Sequence, residues 1–397
     1  IRAAVGGGEA VKASPIAPAA SVWVDPARLD ELREISGVTG VTPNLRPLGS
    51  SVSLAERLES VRESLPGALA SRSGVTGGPV PQAPPPAGAA CGPIPIEADA
   101  PLRSDAARAD YGVDGTGVTI GIISDSFADP HPLVPTPTSW DEDVASGALP
   151  GPGNPCGRTT PVTIVSDAIG GSDEGRAMAQ LVHGIAPGGK ILFADAGTSD
   201  FEMAANVARL VDAGADIIVD DISWFQEPFF QQGIVSSVYG QARQDHGVLA
   251  ISAAGNSTAV ATEGNHIGAP LPSWQTDAYR PMACPSWLLS GAQDPLFGRT
   301  DIDCLDFDPG VGEQPYDLLA FAGAPGDPEH LLTVAASIGE PMYGVTTQYE
   351  IRFYEEDASG TPQPRFRIPM VGAPYAGLVG TIDMNPGSQV RMVLVRT

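Results

Sequence analysis

Alternating strand and helix signals between residues 97 and 270 predict an α/β fold with a parallel sheet and helices on both faces. Two further observations frame it. A Pro/Gly-rich run over 71–96 cuts off a small α+β module at 1–70, and from 271 to 397 helical periodicity gives way to alternating strand patterns. The 397 residues therefore divide into four stretches: 1–70, a linker at 71–96, an α/β domain at 97–270, and a turn-rich antiparallel β segment at 271–397.

In the first stretch, Val22-Trp23-Val24 reads as a short strand. Pro26 to Ile35 reads as a helix with Leu29, Leu32 and Ile35 on one face. The run Gly37 to Pro43 turns into a second strand, and Ser53 is placed to cap a helix reaching Leu65. In the α/β stretch, apolar β-rich runs occur at 118–124, 162–166, 191–194, 217–220 and 248–252, with helices expected at 174–183, 200–213 and 235–245. Beyond Pro272, the clearest alternation lies at 348–354 and 390–395.

Composition excludes several classes. There are 47 acidic residues against 22 basic, a net charge of −25, which repels phosphate backbones and argues against a nucleic-acid partner. No run of eighteen apolar residues supports a membrane span, and no signal-peptide pattern opens the chain at Ile1. Arg far outnumbers Lys, which occurs only at 12 and 190; with high Ala, Gly and Pro this suits a GC-rich genome. Cys91, Cys156, Cys284 and Cys304 form no C-x-x-C pair, which disfavours zinc. An even number suggests disulfides in an exported chain. Cys284 with Cys304 closes the shortest loop and leaves Cys91 with Cys156, but all three connectivities stay open.

The chemistry starts at Gly115-Thr116-Gly117-Val118-Thr119-Ile120-Gly121-Ile122-Ile123-Ser124-Asp125-Ser126-Phe127. The glycines precede the strand, so a dinucleotide cradle, which needs them after it, is excluded. Asp125 ends the strand, where open α/β sheets build their sites. This segment resembles the catalytic-aspartate strand of the subtilases, with Phe127 in place of the family glycine. The helix expected to open on the family histidine reads Glu174-Gly175-Arg176-Ala177-Met178-Ala179, anchored by Ala186-Pro187-Gly188 before the next strand. The resemblance thus puts Glu174 at the histidine position, as in the related sedolisins, whose additional acid would fall at Met178 and is missing.

A carboxylate serves as general base only where its pKa suits the working pH, so this exchange implies mildly acidic conditions. The alternative reading is a helix-start acid favoured by the helix dipole. His183, nine residues on, falls on the opposite helix face. Ala253-Ala254-Gly255-Asn256 resembles the family's oxyanion block, which implies that the Asn256 side chain donates to the tetrahedral intermediate. Ile222-Ser223-Trp224 resembles its substrate edge, so Ser223 and Trp224 are expected to line the non-primed cleft and bind peptide backbone. The family's Gly-Thr-Ser-x-Ala-x-Pro serine motif does not follow; Gly197-Thr198-Ser199 comes too early, and Ser199 reads as a helix N-cap.

Taken together, the resemblance implies a subtilisin-like fold and a secreted or extracellular serine-type endopeptidase acting on protein or peptide substrates as a monomer. Its triad would be of Asp-Glu-Ser type, with the serine beyond residue 397. The 20–45 stretch resembles the end of a subtilase propeptide. The alternative is a non-catalytic surface or adhesion protein on the same scaffold. No cofactor is expected, although Asp301, Asp303, Asp306 and Asp308 form an acidic run that could take calcium.

Overall fold

The computed structural model describes residues 11–13, 20–22, 32, 34–38, 48–49 and most of 96–397; within the last span 129–137, 169–170, 225, 256–273, 291–301, 309, 321–330, 343, 358, 371–373 and 382–388 are excluded. The expected helix over 53–65 and nearly all of the one over 26–35 lie outside the described residues, as do the linker except Ile96, Cys91, Asn256 and Asp301. Near the N-terminus, β1 (Val11–Ala13) and β2 (Ala20–Val22) pair antiparallel, and β3 (Leu48–Gly49) stands alone in sequence.

The α/β domain follows the predicted alternation. Short helices α1 (Asp99–Leu102) and α2 (Ser104–Tyr111) lead to β4 (Thr119–Ser124). Then come α3 (Trp140–Ser146), β5 (Thr163–Ile164), α4 (Glu174–Ile185), β6 (Lys190–Asp195), α5 (Asp200–Asp212), β7 (Ile217–Asp220), β8 (Ile222–Ser223), α6 (Ile234–His246) and β9 (Leu249–Ser252). Strands β5, β6, β4, β7 and β9 form one parallel sheet in that order.

The near-continuous apolar run of β4 has a direct cause. Alternate side chains enter opposite layers, and both layers are dry. Ile122 packs with Phe127, Leu149, Ala179 and Phe193 on the α4 side, while Ile123 packs with Met203, Leu210, Ile218 and Val238 on the α5–α6 side. Helix α3, which periodicity alone did not reveal, begins with a capping box. The Ser139 N–H donates to Glu142 Oε2 (2.7 Å), and the Glu142 N–H donates back to Ser139 Oγ (3.3 Å).

The C-terminal stretch is antiparallel, as expected, but richer in strands than the pattern showed. It contains β10 (Pro281–Ala283), α7 (Ser286–Ser290), β11 (Asp303–Leu305), β12 (Asp317–Ala320), β13 (Leu331–Ser337), β14 (Tyr349–Glu356), β15 (Pro362–Met370), β16 (Tyr375–Thr381) and β17 (Gln389–Arg396). One sheet runs β10-β11-β17-β14-β15 with β12 also on β17, and β13 pairs with β16. The two clearest strand signals, now β14 and β17, are neighbours. Both faces of β14 are buried because its charged face carries an internal ion pair, Arg352 with Glu350 at 2.9 Å. Cys284 and Cys304 are disulfide-bonded, tying the start of α7 to β11.

The described members of the acidic run, Asp303, Asp306 and Asp308, are each bonded to different groups. Asp303 accepts from Tyr279 Oη (2.8 Å) and pairs with Arg396, while Asp306 accepts from the N–H groups of Asp308 and Gln314 (both 2.9 Å). Asp308 turns to the Gly310 N–H (2.7 Å). Among the described residues, no group of three His, Cys, Asp or Glu side chains is arranged to hold a metal ion.

Candidate active site

Strand β4 ends at Ser124 and is followed by Asp125 and Ser126, and each of these three polar residues is bonded to the segment that opens α4. Ser124 Oγ donates to Glu174 Oε2 (3.2 Å). Asp125 Oδ2 accepts from the Ser172 N–H (2.6 Å) and from Ser172 Oγ (2.5 Å). Ser126 Oγ accepts from the Asp173 N–H (2.8 Å), and the Ser126 carbonyl accepts from the Gly175 N–H (3.0 Å). Strand end and helix start are thereby locked together residue by residue. Both sequence-predicted carboxylates sit in this lock, at the carboxyl end of the parallel sheet, where such folds place their chemistry. Asp125 accepts from Ser172 and, at Oδ1, from Ser126 Oγ (3.2 Å), while Glu174 accepts from Ser124.

The close approach depends on glycine. A Cβ on Gly175 would lie 2.7 Å from the Ser126 carbonyl oxygen and 2.8 Å from Phe193 Cζ, closer than real carbon atoms pack. Asp173, before the helix, adopts φ +53, a left-handed conformation that a non-glycine residue holds only when its surroundings enforce it. Here the enforcement is visible. Its carboxylate pairs with Arg176, a buried guanidinium that also donates to Asp143 Oδ2 (2.8 Å) and the Thr138 carbonyl (2.6 Å). Sequence reasoning missed Ser124, Ser172 and Arg176; the paired Gly170-Gly171 before Ser172 was the available sign of a tight approach.

Glu174 is the first residue of α4 and only 7% exposed. His183 is buried on the same helix, its Nδ1 has no hydrogen-bond partner, and burial depresses its pKa to about 4. It is therefore neutral near pH 7 and packs in the interior near the end of α4, as its helix position suggested. Ser199 caps α5 by accepting from the Glu202 N–H (3.2 Å), which accounts for the stray Gly-Thr-Ser.

The expected substrate edge is β8. Ser223 is exposed, whereas Trp224 turns its indole inward, donating from Nε1 to Met203 Sδ (2.8 Å). Any contribution of Trp224 to a cleft would come from its main chain. This edge pairs in the structure with backbone from elsewhere in the chain. Strand β3 lies antiparallel to it, with Leu48 opposite Ser223 and Gly49 opposite Ile222. Asn256 lies just outside the described residues. The strand leading to it is tied to β7 through Asp220, which accepts from Ser252 Oγ (2.7 Å) and Tyr239 Oη (2.8 Å) and whose pKa burial holds above the ordinary aspartate value.

No family model and no curated protein matches the chain. Among solved structures, MycP1 with the N-terminal propeptide removed, a subtilisin-like mycosin protease, aligns at 18% identity over 41% of this chain and 49% of its own, with a TM-score of 0.24. The chain thus spans about half the length of that protein. A two-domain esterase active on acetylated mannans aligns at 9% identity over 74% of this chain and 90% of its own, with a TM-score of 0.16. Neither superposition is close enough to bear on function.

Proposed function

We propose that this chain belongs to a secreted serine-type endopeptidase in which Asp125 and Glu174 serve a serine supplied from outside these 397 residues. Glu174 takes the serine proton, Asp125 orders the helix start through Ser172, and Asn256 donates to the oxyanion. The observation that supports this most is the lock between 124–126 and 172–175, which holds both Asp125 and Glu174 in the hydrogen-bonded junction between the end of β4 and the start of α4. The pairing of β3 with Ser223 supports an edge that accepts extended backbone, and the N-terminal module is read as its resident occupant.

The reading requires Gly-Thr-Ser-x-Ala-x-Pro in the parent reading frame downstream of Thr397. It is tested by the pH–rate profile of that longer protein on a peptide substrate, with and without Glu174→Gln. The expected result is an acid-shifted optimum that the substitution abolishes. A full reading frame without the serine motif, or an optimum above pH 8 that Glu174→Gln leaves untouched, sinks the glutamate-base role. The first of those outcomes favours a non-catalytic surface or adhesion protein.

A further inference from the structure

A cavity of about 480 Å³, within the size range of small-molecule sites, opens in the C-terminal β segment. Its floor comes from three neighbouring strands. Strand β17 runs between β11 and β14, and Arg396 lies opposite Asp303 on one side and Tyr349 on the other. Residues directly opposite one another share a face of the sheet, so the three form one row. Arg396 pairs with Asp303 and lays its guanidinium 4.7 Å over the Tyr279 ring. Tyr279 donates from Oη to Asp303 Oδ1 (2.8 Å) and packs on Tyr349, with ring centroids 5.4 Å apart. The ion pair is not sealed by this packing: the Arg396 and Asp303 side chains are 39% and 33% exposed and line the cavity.

The facing wall is the segment 346–348, and it is braced from behind. Glu340 Oε2 accepts from the N–H groups of Thr346 (2.7 Å) and Thr347 (3.2 Å), while the Gln348 carbonyl accepts from the Thr397 N–H (2.9 Å). The Gln231 side-chain amide, reaching across from the α/β domain, donates to the Glu340 carbonyl (2.6 Å) and accepts from the Met342 N–H (2.7 Å). Floor and wall are thus both fixed by bonds that need no ligand, which removes an ordering cost from binding.

The lining narrows the ligand by chemistry. Its two charged side chains, Asp303 and Arg396, neutralise each other, so an ion finds no net charge to pair with. The chain's net charge of −25 repels anions further. Ile302 is the one wholly apolar side chain among the lining residues, too little surface to hold an apolar ligand. What remains is a mixed set of donors and acceptors. It comprises the guanidinium N–H groups beyond the Nη2 engaged with Asp303, the second lone pairs of that carboxylate, and the amide of the exposed Gln348. Adjacent hydroxyl groups, each at once donor and acceptor, complement such a set. We propose that this cavity is a saccharide-binding site, taking an uncharged, hydroxyl-rich sugar unit through Arg396, Asp303 and Gln348. The site is independent of the peptidase reading, none of whose residues lines the cavity.

The experiment titrates the intact, isotope-labelled chain with glucose, mannose, galactose, xylose and N-acetylglucosamine, each as the monomer and as a tetrasaccharide, and follows backbone amide shifts by NMR. The expected result is saturable shifts at 302–303, 346–348 and 396 with at least one of these sugars, while the amides of 119–124 in the α/β sheet stay in place. Equal affinity for monomer and tetramer would support a free sugar as ligand, and tighter tetramer binding a glycan chain. Gln348→Ala, a change at an exposed position, should weaken that binding by about three- to tenfold, the loss of one hydrogen bond. Arg396→Lys, which keeps a cation beside Asp303 but loses the planar fork, should weaken it at least as much. The absence of saturable shifts at these amides with every sugar overturns the proposal, whether or not the variants fold. So does binding that Gln348→Ala leaves at wild-type affinity, and so do shifts produced there by acetate or phosphate and by no sugar. Because the titration reads no turnover, its failure leaves the peptidase reading standing, and failure of that reading leaves the sugar site standing.

Discussion

Gly175→Ala tests whether the lock at the start of α4 is as tight as its geometry states. In an open helical position this change gains up to about 1 kcal/mol from helix propensity. At Gly175 the added methyl would meet two obstacles. One is the Ser126 carbonyl, a backbone atom, and the other is the Phe193 ring, fully buried and packed 5.1 Å from Phe127. Overpacking a fixed environment costs about 1–3 kcal/mol, and pushing α4 away loosens the Gly175 N–H bond to Ser126, worth about 1 kcal/mol. The propensity gain offsets only the last of these, leaving a net loss of about 1–3 kcal/mol. Gly240, mid-way along α6 with nothing within 4 Å of its notional Cβ, supplies the control: Gly240→Ala should stabilise by up to about 1 kcal/mol. Denaturant titrations of both variants, followed by far-ultraviolet circular dichroism, give the comparison. Equal effects of the same sign would show that the strand end and helix start are not in the contact described.

Other perturbations follow from the same contacts. Replacing Arg176 with Met strands Asp143, which is 4% exposed, and Asp173 without their shared cation, and should cost about 3–5 kcal/mol by denaturant titration; Arg176→Lys should recover part of it. Opening the Cys284–Cys304 loop by a double Cys→Ser change should destabilise the C-terminal β segment by about 3 kcal/mol, seen as a lower Tm in its thermal transition. A Tm that does not respond to the loss of the bond would mean that the loop is already fixed by β10 and β11.

The order of elements in the α/β domain was readable because its strands are buried on both faces and its helices on one; those patterns differ plainly in sequence. Helix α4 begins at Glu174, where the motif placed it, and β7 coincides with the expected 217–220. The C-terminal sheet was less legible for a reason specific to it. Strand β15 carries Pro362, Pro364 and Pro369, residues that demote a strand signal, and is tolerated because it is the edge strand, bonded only to β14. Strand β14 hides charged residues in its interior, so alternation undercounts its burial. At the site, residue types could be read but not directions: nothing in Ser223-Trp224 reveals that the indole turns toward Met203.

Direction also bears on the two readings of Glu174. An acid placed only to complement a helix dipole keeps its carboxylate in water, where the effect is worth about 0.3–1 kcal/mol. Glu174 is instead buried, a position that costs a carboxylate several kcal/mol before compensation. Nor does α4 need it as a cap, since the Ser126 carbonyl takes the Gly175 N–H and Ser126 Oγ takes the Asp173 N–H. A buried carboxyl group at the carboxyl end of a parallel strand is a candidate for a chemical role, which stability and turnover measured together can test. Glu174→Gln keeps an acceptor for Ser124 and removes the charge, so on this account it should leave stability unchanged or slightly raised while abolishing turnover in the full-length protein. A helix-dipole acid predicts the reverse: a small, salt-sensitive loss of stability and full activity. Measuring both quantities on the one variant decides between them.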